Sequence, residues 1–204
     1  MTAIIDYGAG NLFSLKSSFE YIGEKITVTA DPAEISRADR IVLPGVGAFS
    51  AAAEKLGALG LDRVILDDVK RGKKLLGICL GMQLLFERSY EYGEHMGLGL
   101  ISGSVKPISD FLCPEYKNPH IGWNALEFTV PKSELFKYNK DGDFVYFVHS
   151  YFGADCEKSI IARTEYGIKL CAAVACGNVY GVQFHPEKSH KAGLSMLRAF
   201  CEMK

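Results

Sequence analysis

The sequence has no apolar run approaching the ~20 residues of a membrane-spanning helix, no internal repeat and no low-complexity tract. It also lacks an excess of either charge: 23 Lys and Arg face 24 Asp and Glu, leaving −1 at pH 7. That balance nominates no nucleic acid and no membrane surface as a partner. The opening MTAIIDYGAGN has neither the basic region nor the apolar stretch of an export signal, so a cytoplasmic location is expected. There is no C-x-x-C and no H-E-x-x-H, and no metal or other cofactor is expected. The six cysteines (79, 113, 156, 171, 176 and 201) form no dense framework and read as free thiols. The loop DYGAGN (6–11) lacks the third glycine of a dinucleotide loop and the lysine of a phosphate loop.

What is present suits a globular protein of one domain over residues 1–204, with 48% hydrophobic and 23% charged residues. The first half alternates short apolar runs with amphipathic segments. TAIID (2–6), KITVTA (25–30), RIVL (40–43) and KKLLGI (73–78) read as strands. Leu12, Leu15, Phe19 and Ile22 share a helical face, with Asn11 as N-cap and Gly23 as stop. AFSAAAEKLGALG (48–60) and DRVILDDVKRG (62–72) read as helices, and another is expected after Cys79. Such alternation predicts an α/β fold, a mostly parallel sheet with helices on both faces. The second half is strand-rich and turn-punctuated, which adds antiparallel strands, and SHKAGLSMLRAFCEM (189–203) closes the chain as a helix.

The stretch LGICLGMQLLFE (76–87) places Cys79 between Gly77 and Gly81, directly after a strand. This is a nucleophile elbow with cysteine as the nucleophile. A sharp turn exposes the sulfur, and a Cβ on either glycine would meet adjacent backbone. A helix beginning there favours the thiolate through its unpaired N–H groups, and the Leu80 N–H can donate to an oxyanion. A buried structural cysteine is the plainer alternative. A cysteine nucleophile needs a base. YGVQFHPEKS (180–189) offers His185 after a late strand, with Glu187 two residues on and able to orient it. Those two residues could instead be surface groups at a helix start. LPGVG (43–47) follows another strand, and its glycines suit a mobile source of oxyanion N–H groups or an ordinary tight turn. The single tryptophan, Trp123, fits either the core or an interface.

In combination these segments resemble the class I (triad) glutamine amidotransferases. The similarity is closest to the glutaminase subunits of imidazole glycerol phosphate synthase. It rests on DYGAGNL, LPGVGAF, LGICLGMQLLFE, PHIGWN, YFVHSY and GNVYGVQFHPEKS, in that order along the whole chain. Ile121 and Phe152 stand where methionine and tyrosine are common. The resemblance implies the flavodoxin-like three-layer sandwich of that family. It implies Cys79 as nucleophile, His185 as base and Glu187 as its orienting partner. Leu80, Val46 and Gly47 would form the oxyanion hole. Gln83, Glu91, Ser150 and Tyr151 would hold L-glutamine, with Gln83 one turn and Glu91 three turns into the elbow helix. Asn11, Trp123, Tyr146 and Lys188 would face a (β/α)8-barrel cyclase, which uses the released ammonia to make imidazole glycerol phosphate and AICAR in histidine biosynthesis. The alternatives are an amidotransferase feeding another synthase, a non-catalytic regulatory module on the same fold, and a stand-alone peptidase or γ-glutamyl hydrolase.

Overall fold

The computed structural model describes residues 1–203. The first half runs β1 (Thr2–Ile5), α1 (Leu12–Tyr21), β2 (Ile26–Thr29), α2 (Pro32–Arg37), β3 (Arg40–Leu43), α3 (Phe49–Ala58), α4 (Leu61–Lys70), β4 (Lys74–Ile78) and α5 (Leu80–Gln83). The second half runs β5 (Phe86–Ser89), β6 (His95–Met96), β7 (Ile101–Pro107), β8 (His120–Ala125), β9 (Glu127–Phe128), β10 (Phe144–His149), β11 (Tyr151–Ala154), β12 (Ile160–Glu165), β13 (Lys169–Cys176), β14 (Val179–Val182) and α6 (His190–Glu202).

Eight strands form the central sheet in the order β2-β1-β3-β4-β14-β13-β12-β9. From β2 to β14 every neighbouring pair is parallel; from β14 to β9 every pair is antiparallel. Strand side chains alternate between faces. Ile4, Val42, Leu76 and Ile78 meet Leu15 and Phe19 of α1 and Met196, Leu197 and Phe200 of α6. Ile5, Ile41, Leu43 and Leu75 meet Ile35 of α2, Phe49 and Leu56 of α3, and Leu61 and Ile65 of α4. Both faces are therefore covered, and each such buried side chain contributes about 1.5–3 kcal/mol. The expected α/β sandwich with antiparallel strands in the second half is the observed one. Among the described residues, no helix is long and apolar enough to cross a membrane.

Two features depart from the sequence reading. Helix α2 was not anticipated, although Asp31 before Pro32 is a start signal: its carboxylate accepts from the Ala33 N–H at 2.9 Å. The expected long elbow helix is a single turn, Leu80–Gln83. Leu84, Leu85 and Phe86 are all buried, so the segment has no solvent face on which to continue as an amphipathic helix. The chain instead turns into β5, parallel to β7.

The adjacency of β4 and β14 positions everything that follows. Their register pairs Ile78 with Val182, so the residues after each strand emerge side by side. The hairpin β13–β14 turns at Gly177-Asn178. The Asn178 amide donates to the carbonyls of Val69 and Lys73, at 2.9 and 2.6 Å, and so pins the hairpin tip against the start of β4.

Candidate active site

Cys79 follows β4 with φ 54° and ψ −112°, a strained conformation for a residue with a side chain. Its N–H donates to the Val182 carbonyl at 2.8 Å, which ties the elbow to β14. The flanking glycines are required by close approach. A Cβ on Gly81 would lie 1.8 Å from the Leu43 carbonyl oxygen, and one on Gly77 would lie 2.6 Å from the Gly81 carbonyl oxygen. The obstacles are backbone in both cases, as the sequence reading expected. Because α5 is only one turn, its dipole is smaller than a full helix would supply, but the Leu80 N–H, first in the helix, still has no partner within it.

His185 and Glu187 leave the end of β14. The imidazole Nδ1–H donates to Glu187 Oε1 at 2.9 Å, and both side chains are buried. A carboxylate only accepts, so Nδ1 holds the proton and Nε2 is the atom free to exchange one. Nε2 is buried and has no hydrogen-bond partner among the described residues. Burial works against the charged imidazolium, but Cys79 and Glu187 both favour it, and together they push the pKa up to about 10. Removing one favouring charge lowers that value. In Glu187→Gln the ring should titrate below the midpoint of about 10, towards the ordinary 6.5. Histidine ring resonances followed from pH 5 to 11 would read this, and an unmoved midpoint would deny Glu187 its influence on the ring.

One cavity of about 380 Å³ collects Val46, Gly47, Cys79, Leu80, Gln83, Glu91, Ser150, Tyr151 and His185, together with Pro119, Val148 and His149. Its volume is that of a small-molecule site, roughly 300–1,000 Å³. Every residue expected around nucleophile, oxyanion and substrate lines it except Glu187, which stands behind His185. Val46 and Gly47 (φ 96°) also line a second cavity beside Gly8–Gly10, so this segment is a thin wall open on both sides. The Tyr7 hydroxyl anchors its start by donating to the Pro44 carbonyl at 2.8 Å. Burial, then the neighbouring Cys79, raises the pKa of Tyr7 and keeps that proton in place.

Glu91 reaches the cavity from the loop after β5, not from the elbow helix. Its carboxylate accepts from the Phe49 N–H at the start of α3, so it also joins that loop to the segment after the PGVG glycines. Gln83 is buried, and its amide donates to the Tyr151 carbonyl and to Gln183 Oε1, each at 3.0 Å. The Tyr151 carbonyl also takes the Nδ1–H of His149 at 2.9 Å, and the Ser150 carbonyl takes the Ile108 N–H at 2.8 Å. These carbonyls are therefore engaged by the fold. His149, within YFVHSY but not selected as a site residue, is buried: desolvation above all, with His120 and His185 adding to it, pushes its pKa down to about 3. It is a neutral wall of the cavity at physiological pH.

The residues expected to face a partner lie on another surface. Trp123 of β8 and Tyr146 of β10 are cross-strand partners, with rings 5.8 Å apart. The Trp123 ring stacks on His190 at 5.0 Å, and the Lys188 ammonium sits 5.5 Å from the centre of the Tyr146 ring. Trp123 is 42% exposed and Ile121, on the same face, 56%. Core packing of the tryptophan is thereby excluded. Asn11 is at the start of α1, where its carbonyl accepts from the Leu15 N–H; its side chain makes no capping bond.

The family model described as glutamine amidotransferase class-I matches residues 3–203. The chain is 47% identical over 204 residues to the imidazole glycerol phosphate synthase subunit HisH of Oceanobacillus iheyensis, covering 100% of this chain and 99% of that protein. It is 48% identical over 202 residues to the same-named subunit of Aquifex aeolicus, covering 98% and 95%.

The chain belongs to the class-I glutamine amidotransferase family.

Within the family it groups with the HisH subunits. A solved glutamine amidotransferase shares the amidotransferase's fold with TM-score 0.76 at 17% identity, over 98% of this chain and 97% of that one. The structure of PurLQS from Thermotoga maritima does so with TM-score 0.72 at 18% identity, over 98% and 96%. Both likenesses concern the fold alone. Besides His149, the sequence reading did not select a second polar residue at the site. Gln183 is fully buried, and its side-chain N–H points at Cys79 Sγ, 3.8 Å away. Its place in YGVQFHPE, two residues before His185, was the available signal.

Proposed function

We propose that this chain is the glutaminase subunit of an imidazole glycerol phosphate synthase, hydrolysing L-glutamine and passing ammonia to a (β/α)8-barrel cyclase. The observation that carries the reading is the buried Cys79, His185 and Glu187 constellation opening on one amino-acid-sized cavity. Full-length similarity to subunits of that synthase supports the partner assignment.

In this mechanism the Cys79 thiolate attacks the side-chain amide carbon of glutamine. The carbonyl oxygen takes up the negative charge, and N–H groups of Leu80 and of the Val46–Gly47 segment stabilise it. As the intermediate collapses, the C–N bond breaks, the His185 imidazolium gives its proton to nitrogen, and ammonia leaves. A γ-glutamyl thioester remains. Water, losing a proton to His185, attacks that thioester; the C–S bond breaks and glutamate departs. Gln83, Glu91 and the Ser150–Tyr151 backbone hold the substrate. The carboxylate of Glu91 meets its ammonium while one oxygen stays on the Phe49 N–H. Asn11, Trp123, Tyr146 and Lys188 dock the cyclase. Docking confines ammonia to a closed path, because in water at neutral pH it would be protonated and lose its nucleophilicity. A cytoplasmic location fits this role.

Ammonia release from glutamine, measured with and without a barrel-type cyclase and its phosphorylated ligand, tests the function. Stimulation by that partner is expected, and recovery of a different synthase from a pull-down would reassign the chain. For the interface, Trp123→Ala should weaken association with the cyclase by about tenfold or more, as loss of a central aromatic anchor does. Calorimetric titration would measure it, and an unchanged Kd would remove Trp123 from the interface.

A further inference from the structure

We propose that Gln183 is a positioning residue for the nucleophile, holding the Cys79 sulfur with a side-chain N–H whose direction is dictated, two links away, by the carbonyl of Tyr151. The inference rests on Cys79 being the nucleophile.

The direction follows from counting donors. The Tyr151 carbonyl can only accept, so Gln83 must present Nε2 to it. The same Nε2 then donates to Gln183, which must present Oε1. That leaves Gln183 Nε2 towards Cys79 Sγ at 3.8 Å. Flipping Gln83 would set its oxygen against the Tyr151 and Gln183 oxygens, and flipping Gln183 would set its N–H groups against those of Gln83, so the orientation is determined by the network. Gln183 is itself held by its backbone N–H on the Ala172 carbonyl at 2.9 Å. The sulfur thus has an N–H donor from Gln183 and shares its cavity with His185, both delivered by the chain leaving β14.

An amide N–H bonds a sulfur anion more strongly than a neutral sulfur. The contact is therefore stronger with the attacking thiolate than with the thioester, where the sulfur carries no charge. It becomes strong again as the C–S bond breaks and the electron pair returns to sulfur. One donor thus aims the thiolate for attack and stabilises it as the leaving group when water releases glutamate. Neither role touches the glutamine carboxylate or ammonium, so the effect belongs in kcat and not in KM.

Two substitutions separate the donor from its surroundings. Gln183→Glu keeps the shape and the oxygen that accepts from Gln83 but removes the N–H to sulfur. Gln183→Met removes that N–H without adding charge, together with the oxygen that accepts from Gln83, so KM is compared in Gln183→Glu. Iodoacetamide alkylation of Cys79, quantified on its own peptide by mass spectrometry between pH 5 and 10, gives the first readout. In both folded variants the alkylation rate near neutral pH should fall by about tenfold, as loss of a hydrogen bond to a charged group predicts. Steady-state glutaminase kinetics should show kcat lower by about tenfold with KM nearly unchanged. In the unsubstituted chain, the side-chain 15N–H resonances of Gln183 should move when Cys79 is alkylated. Unchanged alkylation rates in both variants would overturn the proposal. So would a fall confined to Gln183→Glu, because added charge alone would explain it. Should Gln183→Met fail to fold, the resonances of the unsubstituted chain decide, and their constancy on alkylation overturns it. Failure of the nucleophile reading looks different: alkylating Cys79 would then leave the unsubstituted chain's glutaminase activity intact.

Discussion

Cys79→Ala is expected to release no measurable ammonia from glutamine while keeping the fold. The substitution removes one sulfur atom and leaves the backbone of the elbow as it is, since Cβ remains and the N–H to Val182 is unaffected. Without Sγ no thioester can form, and the oxyanion N–H groups have no tetrahedral centre to stabilise. Loss of a covalent nucleophile costs on the order of 10⁴–10⁶ in kcat. Thermal unfolding followed by circular dichroism should stay within a few degrees of the parent, because the buried sulfur contributes little packing. Retention of most glutaminase activity would show that a different group attacks the amide.

Gly81→Ala should have the opposite profile, losing the fold before any question of chemistry arises. Its Cβ would sit 1.8 Å from the Leu43 carbonyl oxygen and 2.8 Å from the carbonyl carbon, both backbone atoms at the end of a central strand. Neither can rotate away. Relief requires β3 and the elbow to separate, which exposes core on both faces of the sheet. The expected cost is more than about 4 kcal/mol, in the range reserved for severe overpacking or backbone strain. Gly57→Ala in α3 is the control. A Cβ there meets nothing within 4 Å, so exchanging glycine for a better helix former should be neutral or stabilising by about 1 kcal/mol. Denaturant unfolding of the two variants reads both expectations. Parent-like stability in Gly81→Ala would refute the close contact between elbow and β3.

Much of the site was legible because its chemistry is written in short local patterns. The spacing of Gly77, Cys79 and Gly81 encodes a turn that has no room for side chains, and those close approaches are present. His185-Pro186-Glu187 encodes an imidazole beside a carboxylate two residues away, and that bond is present. Less legible was anything that depends on where an element stops. A helix was expected after Cys79, and the family resemblance put Glu91 three turns into it. Helix α5 ends at Gln83 because Leu84, Leu85 and Phe86 find burial on all sides. Glu91 still reaches the cavity, but from a loop, and it is positioned by the Phe49 N–H.

Apolar alternation along the chain was enough to decide that strands and helices form layers, because burial imposes a period of two or of 3.6 within each element. Local composition was likewise enough to mark the elbow and the late histidine. Which strands become neighbours is another matter, since no local period records a pairing between residues a hundred positions apart. Only the tertiary structure set β14 beside β4, through the Asn178 amide and the packing of helices on both faces. That single adjacency brings His185 to Cys79 and turns Gln183 from an ordinary strand-end amide into a donor to the sulfur.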